Sequence, residues 1–255
     1  MKEPSGIVKS RQHRGIYWTH GDSGTAATLF AFRESGKVVA SVDLAKAPNT
    51  DWEDIATDEN GNLYVGDIGN NLDIFPARYV YVLAEPKLER EPNADAPSPV
   101  TWSKRWKFKY PQSRFNAECL FVLKDRMHII SIGHKGKPTI YRLDPTTETE
   151  CELTALQTLP VWAAQGADAS QELGRLAVCT SGAVWVFEID EQARLSADKK
   201  PLRVTFPRCP AEACCFDGGD VIILTEQGLL YRIPQADIEA GTSYVAPPKK
   251  KKTPK

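Results

Sequence analysis

The chain has 255 residues, 42% of them hydrophobic and 25% charged, enough to bury a core as one large domain or two small ones. Its formal charge of −1 conceals a basic end: residues 247–255, PPKKKKTPK, carry five lysines, and without them 27 Lys and Arg stand against 33 Asp and Glu. A mildly acidic body argues against a nucleic-acid-binding core, and no run of about 18 apolar residues exists to span a membrane.

The opening MKEPSGIV lacks the apolar stretch of a signal peptide. The expected location is therefore cytoplasmic, or periplasmic or extracellular if an upstream signal has been removed. "PSGIVKS" at 4 reads as a first strand and "GIYWTHGDSG" as a second that ends in a glycine turn. "TLFAFR" and "KVVASVDL" complete a unit over 5–50. The same order recurs over 51–115 in "WEDIATD", "NLYVGDIGN", "VYVLAEP" and "WSKRWKFKYP". An acidic, proline-rich insert there, "EPKLEREPNADAPSP", reads as a loop. A third unit, 116–164, runs "AECLFVL", "MHIISIGHKG", "TIYRLDP", "ECELTALQTLP". A fourth, 165–210, runs "GADASQE", "RLAVCTSG", "AVWVFEID", "PLRVTFP". The fifth, 211–246, shows "AEACCFD", "DVIILTEQG" and "LLYRIP". Its fourth strand must come from "TSYVA" (242–246) or from an N-terminal strand.

These runs are rich in Val, Ile, Tyr, Phe and Trp and are punctuated by turn residues, and none has helical periodicity. Four antiparallel strands repeating every 45–65 residues or so predict an all-β fold, a β-propeller. The count of units predicts five blades in one domain over 1–246, with six as the alternative if the long second unit splits. The Lys-rich tail is expected to be disordered. The six cysteines form no CxxC and do not cluster with His, which disfavours zinc. Cys119, Cys179 and Cys214 lie in apolar strand-like runs, where buried free thiols are common.

In a propeller each blade's first strand lines the central channel. The start of that strand and the turn between the second and third strands share one face. Ser5, Glu53, Glu118, Asp168 and Glu212 are thereby expected around one mouth. So are His20, Asp22, Asp67, Asn70, Asn71, His134, Lys135 and Glu226. "HGDSG" (20–24) matches the surroundings of a nucleophilic serine, but it occupies the repeat position of "GDIGN", and only 22 residues precede Ser23. It reads as a turn, with glycines supplying positive φ and Asp and Ser bonding their own backbone.

Three blades place Glu at the same inward start: Glu53, Glu118 and Glu212. Carboxylates converging on one axis repel one another and stay ionised most easily around a cation. Oxygen ligands at flexible spacing suit calcium, or magnesium with retained waters. Asn116, Asp67 and Asn71 are candidates to complete the shell. The alternative is structural, with carboxylates capping backbone N–H groups between blades. His20, Asp22, Asn71, His134, Lys135 and Asp168 are the candidates for ligand contact. Trp52 and Trp162 are expected near the mouth, where an aromatic rim would suit a sugar ring or an apolar partner.

"SGIVKS…YWTHGDSG…LFAF", "NTDWEDIATDENGNLYVGDIGNN", "FNAECLFV", "QGADAS" and "EACCFDGGDVIILTEQGLLYRIP" resemble a family of bacterial, often exported, β-propeller proteins with WD40-like or NHL-like repeats. The resemblance runs from Ser5 to Pro234 and implies the fold and export, but no activity. At site level Glu53, Glu118 and Glu212 are similar to the Glu, Asn and Asp ring of calcium-dependent propeller lactonases of the gluconolactonase and paraoxonase type, from which the chain departs in blade spacing. Three functions are thus expected: a binding module whose acidic mouth holds a cation and takes a small molecule, glycan or protein; a calcium-dependent lactonase or esterase; or a protein-interaction scaffold.

Overall fold

The computed structural model describes residues 3–88, 97–112, 115–133, 137–206 and 210–241. Among them every element is a strand except the six-residue helix α1 (Gln235–Ala240). Blade 1 comprises β1 (Pro4–Lys9), β2 (Ile16–Gly21), β3 (Thr28–Arg33) and β4 (Val38–Leu44). Blade 2 comprises β5 (Trp52–Thr57), β6 (Asn62–Asp67), β7 (Arg78–Ala84) and β9 (Lys104–Phe108). The end of the proline-rich insert is not loop: β8 (Ser98–Val100) pairs parallel to β4 and gives blade 1 a fifth strand. Blade 3 is β10 (Ala117–Leu123), β11 (Arg126–Ser131), β12 (Thr139–Pro145) and β13 (Cys151–Thr158). Blade 4 is β14 (Gly166–Ser170), β15 (Arg175–Thr180), β16 (Ala183–Glu188) and β17 (Leu202–Thr205). Blade 5 is β18 (Ala211–Asp217), β19 (Asp220–Thr225) and β20 (Leu230–Ile233).

The inner strands β1, β5, β10, β14 and β18 pack on one another in that order, and β18 returns to β1, closing a five-bladed ring. The six-bladed alternative is not realised. Inner strands face neighbours on both sides, so the period-2 alternation of a half-solvated strand gives way to continuous burial, as in all six residues of β5. Crowding also selects small residues. A Cβ at Gly166 would lie 2.7 Å from the Cα of Ala213 and 2.8 Å from the carbonyl oxygen of Glu212. Adjacent inner backbones meet there only because glycine is present.

Hydrophobic side chains fill the seams between blades. The seam of blades 1 and 2 buries fifteen residues, including Trp18, Trp52 and Tyr81, whereas that of blades 5 and 1 buries seven. This thinner closing seam is reinforced by charge. Asp217 accepts hydrogen bonds from the Tyr17 hydroxyl at 2.8 Å and from Arg232, and pairs with Lys9. Arg232 also reaches Glu34 and Asp220. Residues 242–246, the candidate fourth strand of blade 5, and the Lys-rich tail lie outside the described residues.

Buried carboxylates pin blades together from within. Asp54, fully buried, accepts the N–H groups of Ile55 and Leu120 at 2.9 Å and of Ala167 at 3.4 Å, linking blades 2, 3 and 4. Glu85 likewise accepts from Ser10, Arg11, Gln12 and the indole of Trp18. Cys119, Cys151, Cys179, Cys214 and Cys215 are buried free thiols. No helix among the described residues is long and apolar enough to cross a membrane.

Candidate metal centre

The three inner glutamates are set by one backbone device. In β5 the pairing with β6 jumps from Trp52–Asp67 to Asp54–Gly66, leaving Glu53 as the extra residue. Glu118 is the extra residue of β10, between Ala117–Ser131 and Cys119–Ile130. Glu212 is that of β18, between Ala211–Thr225 and Ala213–Leu224. Such β-bulges re-aim a side chain that regular pleating would send into a blade seam. β14 has no bulge and no glutamate.

Side chains from three blades converge at the mouth. One oxygen each of Asp22, Asp51 and Glu53 lie within 4.8 Å of one another. Asp22 sits in the β2–β3 turn of blade 1. That turn is held to the approach to β5 by Asn49, whose Nδ2 donates to the carbonyls of Gly21 and Asp22 at 3.1 and 3.0 Å. The Asn49 Oδ1 accepts the N–H of Trp52 at 3.1 Å. The Asn71 N–H and the Ser23 hydroxyl lie near the Asp51 carboxylate and favour its charged form, against the larger effect of burial. From blade 3, the Glu118 carboxyl approaches that of Glu53 closely enough for its charge to raise the Glu53 pKa. Asn116 donates to Glu118 Oε1 at 2.7 Å and to Asn71 Oδ1 at 2.9 Å, while its own Oδ1 accepts the N–H of Asn70 at 2.6 Å.

The loop after β6 leans directly over these carboxylates. A Cβ at Gly69 would stand 2.1 Å from Glu53 Oε1 and 2.5 Å from Asp51 Oδ2. The glycine of "GDIGNN" is therefore required by close approach. The same loop is tied back by Tyr110, whose hydroxyl donates to the carbonyl of Ile68.

Burial and mutual repulsion resist charge here. Burial, then the charge of Glu118, raises the pKa of Glu53 well above the ordinary range, and burial raises those of Glu118 and Asp51. Glu212 is pushed up to about 7, chiefly by burial and then by Glu118 and Glu226. It has no hydrogen-bond or ion-pair partner among the described residues.

The other predicted residues stand elsewhere. Asp67 lies behind the cluster. Its Oδ1 accepts the N–H of Asp51 at 2.9 Å and lies 3.8 Å from Nη1 of the buried Arg78. Asp168 accepts the N–H of Phe216 at 2.8 Å, joining blades 4 and 5. His20 is fully buried, edge-on to Trp52 with ring centroids 5.5 Å apart, and its Nδ1 is 3.1 Å from the carbonyl of Gly21. Trp52 fills the seam of blades 1 and 2 and is not on the rim, whereas Trp162 is 73% exposed. Ser23 is an exposed turn residue near Asp51, with no histidine partner among the described residues. His134 and Lys135 lie outside the described residues. Asp51 and Gly69 escape a reading of strand starts alone; the closely spaced acids of "TDWED" and the glycine of "DIGNN" are the signals that mark them.

Searches against protein families and against curated proteins each return no match by sequence. Among solved structures, the chain is similar to a gluconolactonase from Xanthomonas campestris. Sequence identity is 13%, 91% of this chain and 86% of that one are covered, and the TM-score is 0.51. It is also similar to a structural-genomics target provisionally described as a gluconolactonase, at 15% identity, with 90% and 73% covered and a TM-score of 0.49. At such identities the likeness concerns the fold.

Proposed function

We propose that the mouth is a divalent-cation site, for calcium or magnesium, that binds an oxygen-bearing ligand presented by a small molecule, a glycan or a protein. The observation that carries this is the convergence of the Asp22, Asp51 and Glu53 carboxylates within 4.8 Å, where burial raises the pKa values of Asp51 and Glu53. The donor set fits a hard cation: carboxylate oxygens, with Asn amide oxygens beside them and no sulfur or imidazole donor among the described residues. The space kept by Gly69 is a second mark of fit, since any side chain there would fill the cradle. A pure scaffold would pair all three glutamates with backbone, Arg or Lys. Instead Glu53 stands against the acidic Glu118, Asp51 and Asp22, with no Arg or Lys paired to it among the described residues, which supports a ligand site.

One further observation favours a hydrolytic reading. Glu212 is a half-buried carboxyl poised near neutrality beside the cluster, as a proton acceptor for attack on an ester or lactone should be. A bound divalent cation would supply Lewis-acid polarisation of the carbonyl. Asn116 would hold Glu118 and Asn71 in place, and Glu212 would take the proton. The likeness in fold to a gluconolactonase makes lactones the first compounds to test. Export to the periplasm or exterior belongs to the same proposal, and cell fractionation checks it.

The test is thermal unfolding of metal-stripped protein with and without millimolar calcium. A cation bound only by the folded state at 100 times its Kd adds about 2.7 kcal/mol, roughly 5–10 °C in Tm for a chain of this size. The rise should vanish in Glu53→Gln. No rise in the parent, with Glu53→Gln and Glu118→Gln both less stable, makes the carboxylates structural.

A further inference from the structure

A groove of about 580 Å³ opens between blades 2 and 3, on the face opposite the acidic mouth. A volume of this order is ordinary for a small-molecule site. The start of β9 supplies one wall. Strand alternation puts Lys104 and Trp106 on the same side of β9, while Arg105 between them turns to Tyr79 and Trp102. The β10–β11 turn and the end of β12 supply the other wall, with Arg126, Arg142 and Asp144. Val82, Met127 and Leu143, all buried, give the groove an apolar floor.

The chain itself satisfies most polar groups on this lining. Arg142 holds Asp144 at two points, Nε to Oδ1 at 2.6 Å and Nη2 to Oδ2 at 3.0 Å, and the Thr154 hydroxyl donates to Oδ2 at 2.6 Å. Tyr64 and Asn62 donate to Asp58 at 3.0 and 2.7 Å, and Ser103 donates to the carbonyl of Val82 at 3.0 Å. Lys104 and Arg126 differ, because neither forms an ion pair among the described residues. The Lys104 ammonium stands 3.8 Å from the centroid of the Trp106 ring instead.

The lining thus carries three cations, Lys104, Arg126 and Arg142, against two carboxylates, Asp125 and Asp144. Elsewhere in the body of the chain acids outnumber bases. Two unpaired cations brought to one groove from different blades repel each other, and an anion between them removes that cost.

We propose that this groove binds an organic monocarboxylate with an aryl or alkyl body. Arg126, whose planar fork matches a carboxylate, and Lys104 hold the charged end. Trp106, Met127 and Leu143 cover the body. One negative charge balances the lining, whereas a doubly charged phosphate ester would overshoot it beside Asp125 and Asp144. The site is separate from the proposed cation centre and does not depend on it.

Calorimetric titration of the metal-stripped chain in chelator tests this, since the mouth then offers a carboxylate only its own acids. The titrants are 2-naphthoate, its neutral analogue 2-naphthalenemethanol, and acetate. We expect 2-naphthoate to bind at least about tenfold more tightly than either. The margin over the alcohol comes from charge-assisted hydrogen bonds, and the margin over acetate from the buried ring. Arg126→Gln and Lys104→Gln should each weaken 2-naphthoate at least about fivefold and leave the alcohol unchanged, while Glu53→Gln binds like the parent. Arg126 is exposed and Lys104 half-buried, so both variants should keep the parent's Tm. Absence of saturation, equal affinity for the acid and the alcohol, or cation variants that bind like the parent overturns the proposal. Loss of binding in Glu53→Gln overturns it too, because the carboxylate would then sit at the mouth.

Discussion

Glu53 and Glu118 enter the channel mouth from adjacent blades, each as the extra residue of a β-bulge, and the charge of Glu118 adds to burial in raising the Glu53 pKa. Two buried carboxyls close together share a proton more readily than they share two charges. Protons and a divalent cation therefore compete for one set of oxygens. Calcium affinity should rise with pH as the raised Glu53, Glu118 and Asp51 carboxyls lose their protons. Calcium titrations at fixed ionic strength measure this, and a pH-independent Kd would rule the competition out.

Stability without metal should carry two opposing pH dependences. A carboxyl whose folded pKa is raised binds its proton more tightly when folded, so stability falls as pH rises from about 4.5 towards 7. His20 and His128, lowered by burial to about 4, act oppositely: stability falls as pH drops from about 6.5 to 4. Glu212→Gln should reduce the first limb, with the raised Glu53, Glu118 and Asp51 keeping the remainder, and leave the second, as read from melting curves at pH 4 to 8.

Gly69→Ala places a methyl group on Glu53 Oε1 and the Asp51 carboxylate. We expect the calcium-dependent rise in Tm to be lost and stability to fall by roughly 1–3 kcal/mol as the loop is forced outward. An unchanged calcium response in this variant would show that the cluster is not where the cation sits.

Asp54→Ala leaves the N–H groups of Leu120 and Ala167 buried without an acceptor. The cost should be about 2–4 kcal/mol by denaturant unfolding, with the calcium response intact. Loss of both together would tie Asp54 to the metal centre.

Ser23→Ala should alter any ligand binding or hydrolysis by no more than about threefold, because Ser23 is an exposed turn residue. A loss of a thousandfold or more would restore the nucleophile reading of "HGDSG".

Much of the architecture is legible because strand chemistry and turn glycines recur at nearly even spacing, and four of the blades follow the quoted runs closely. Ser98–Val100 is not legible: three residues with two polar or cyclic side chains gain strand form only from the edge that β4 offers. Glu53, Glu118, Asn116, Asn71 and Asp22 are found together because the repeat position alone specifies the face. Asp168 is misleading for the same reason. Its unbulged strand keeps it in register and turns its carboxyl to Phe216. Asp51 and the thinness of the closing seam depend on contacts made across blades, which no local pattern encodes.

That closing seam joins blade 5 back to blade 1. Its polar ties, such as Tyr17 to Arg232, span 215 positions in sequence. Closing so long a loop costs more entropy than any contact between neighbouring blades. Blades emerging in order would accumulate an open arc, and the final step would be a docking of ends guided by charge. The same junction is the natural place for the ring to breathe, so added salt should loosen the closed form more than it loosens any single blade.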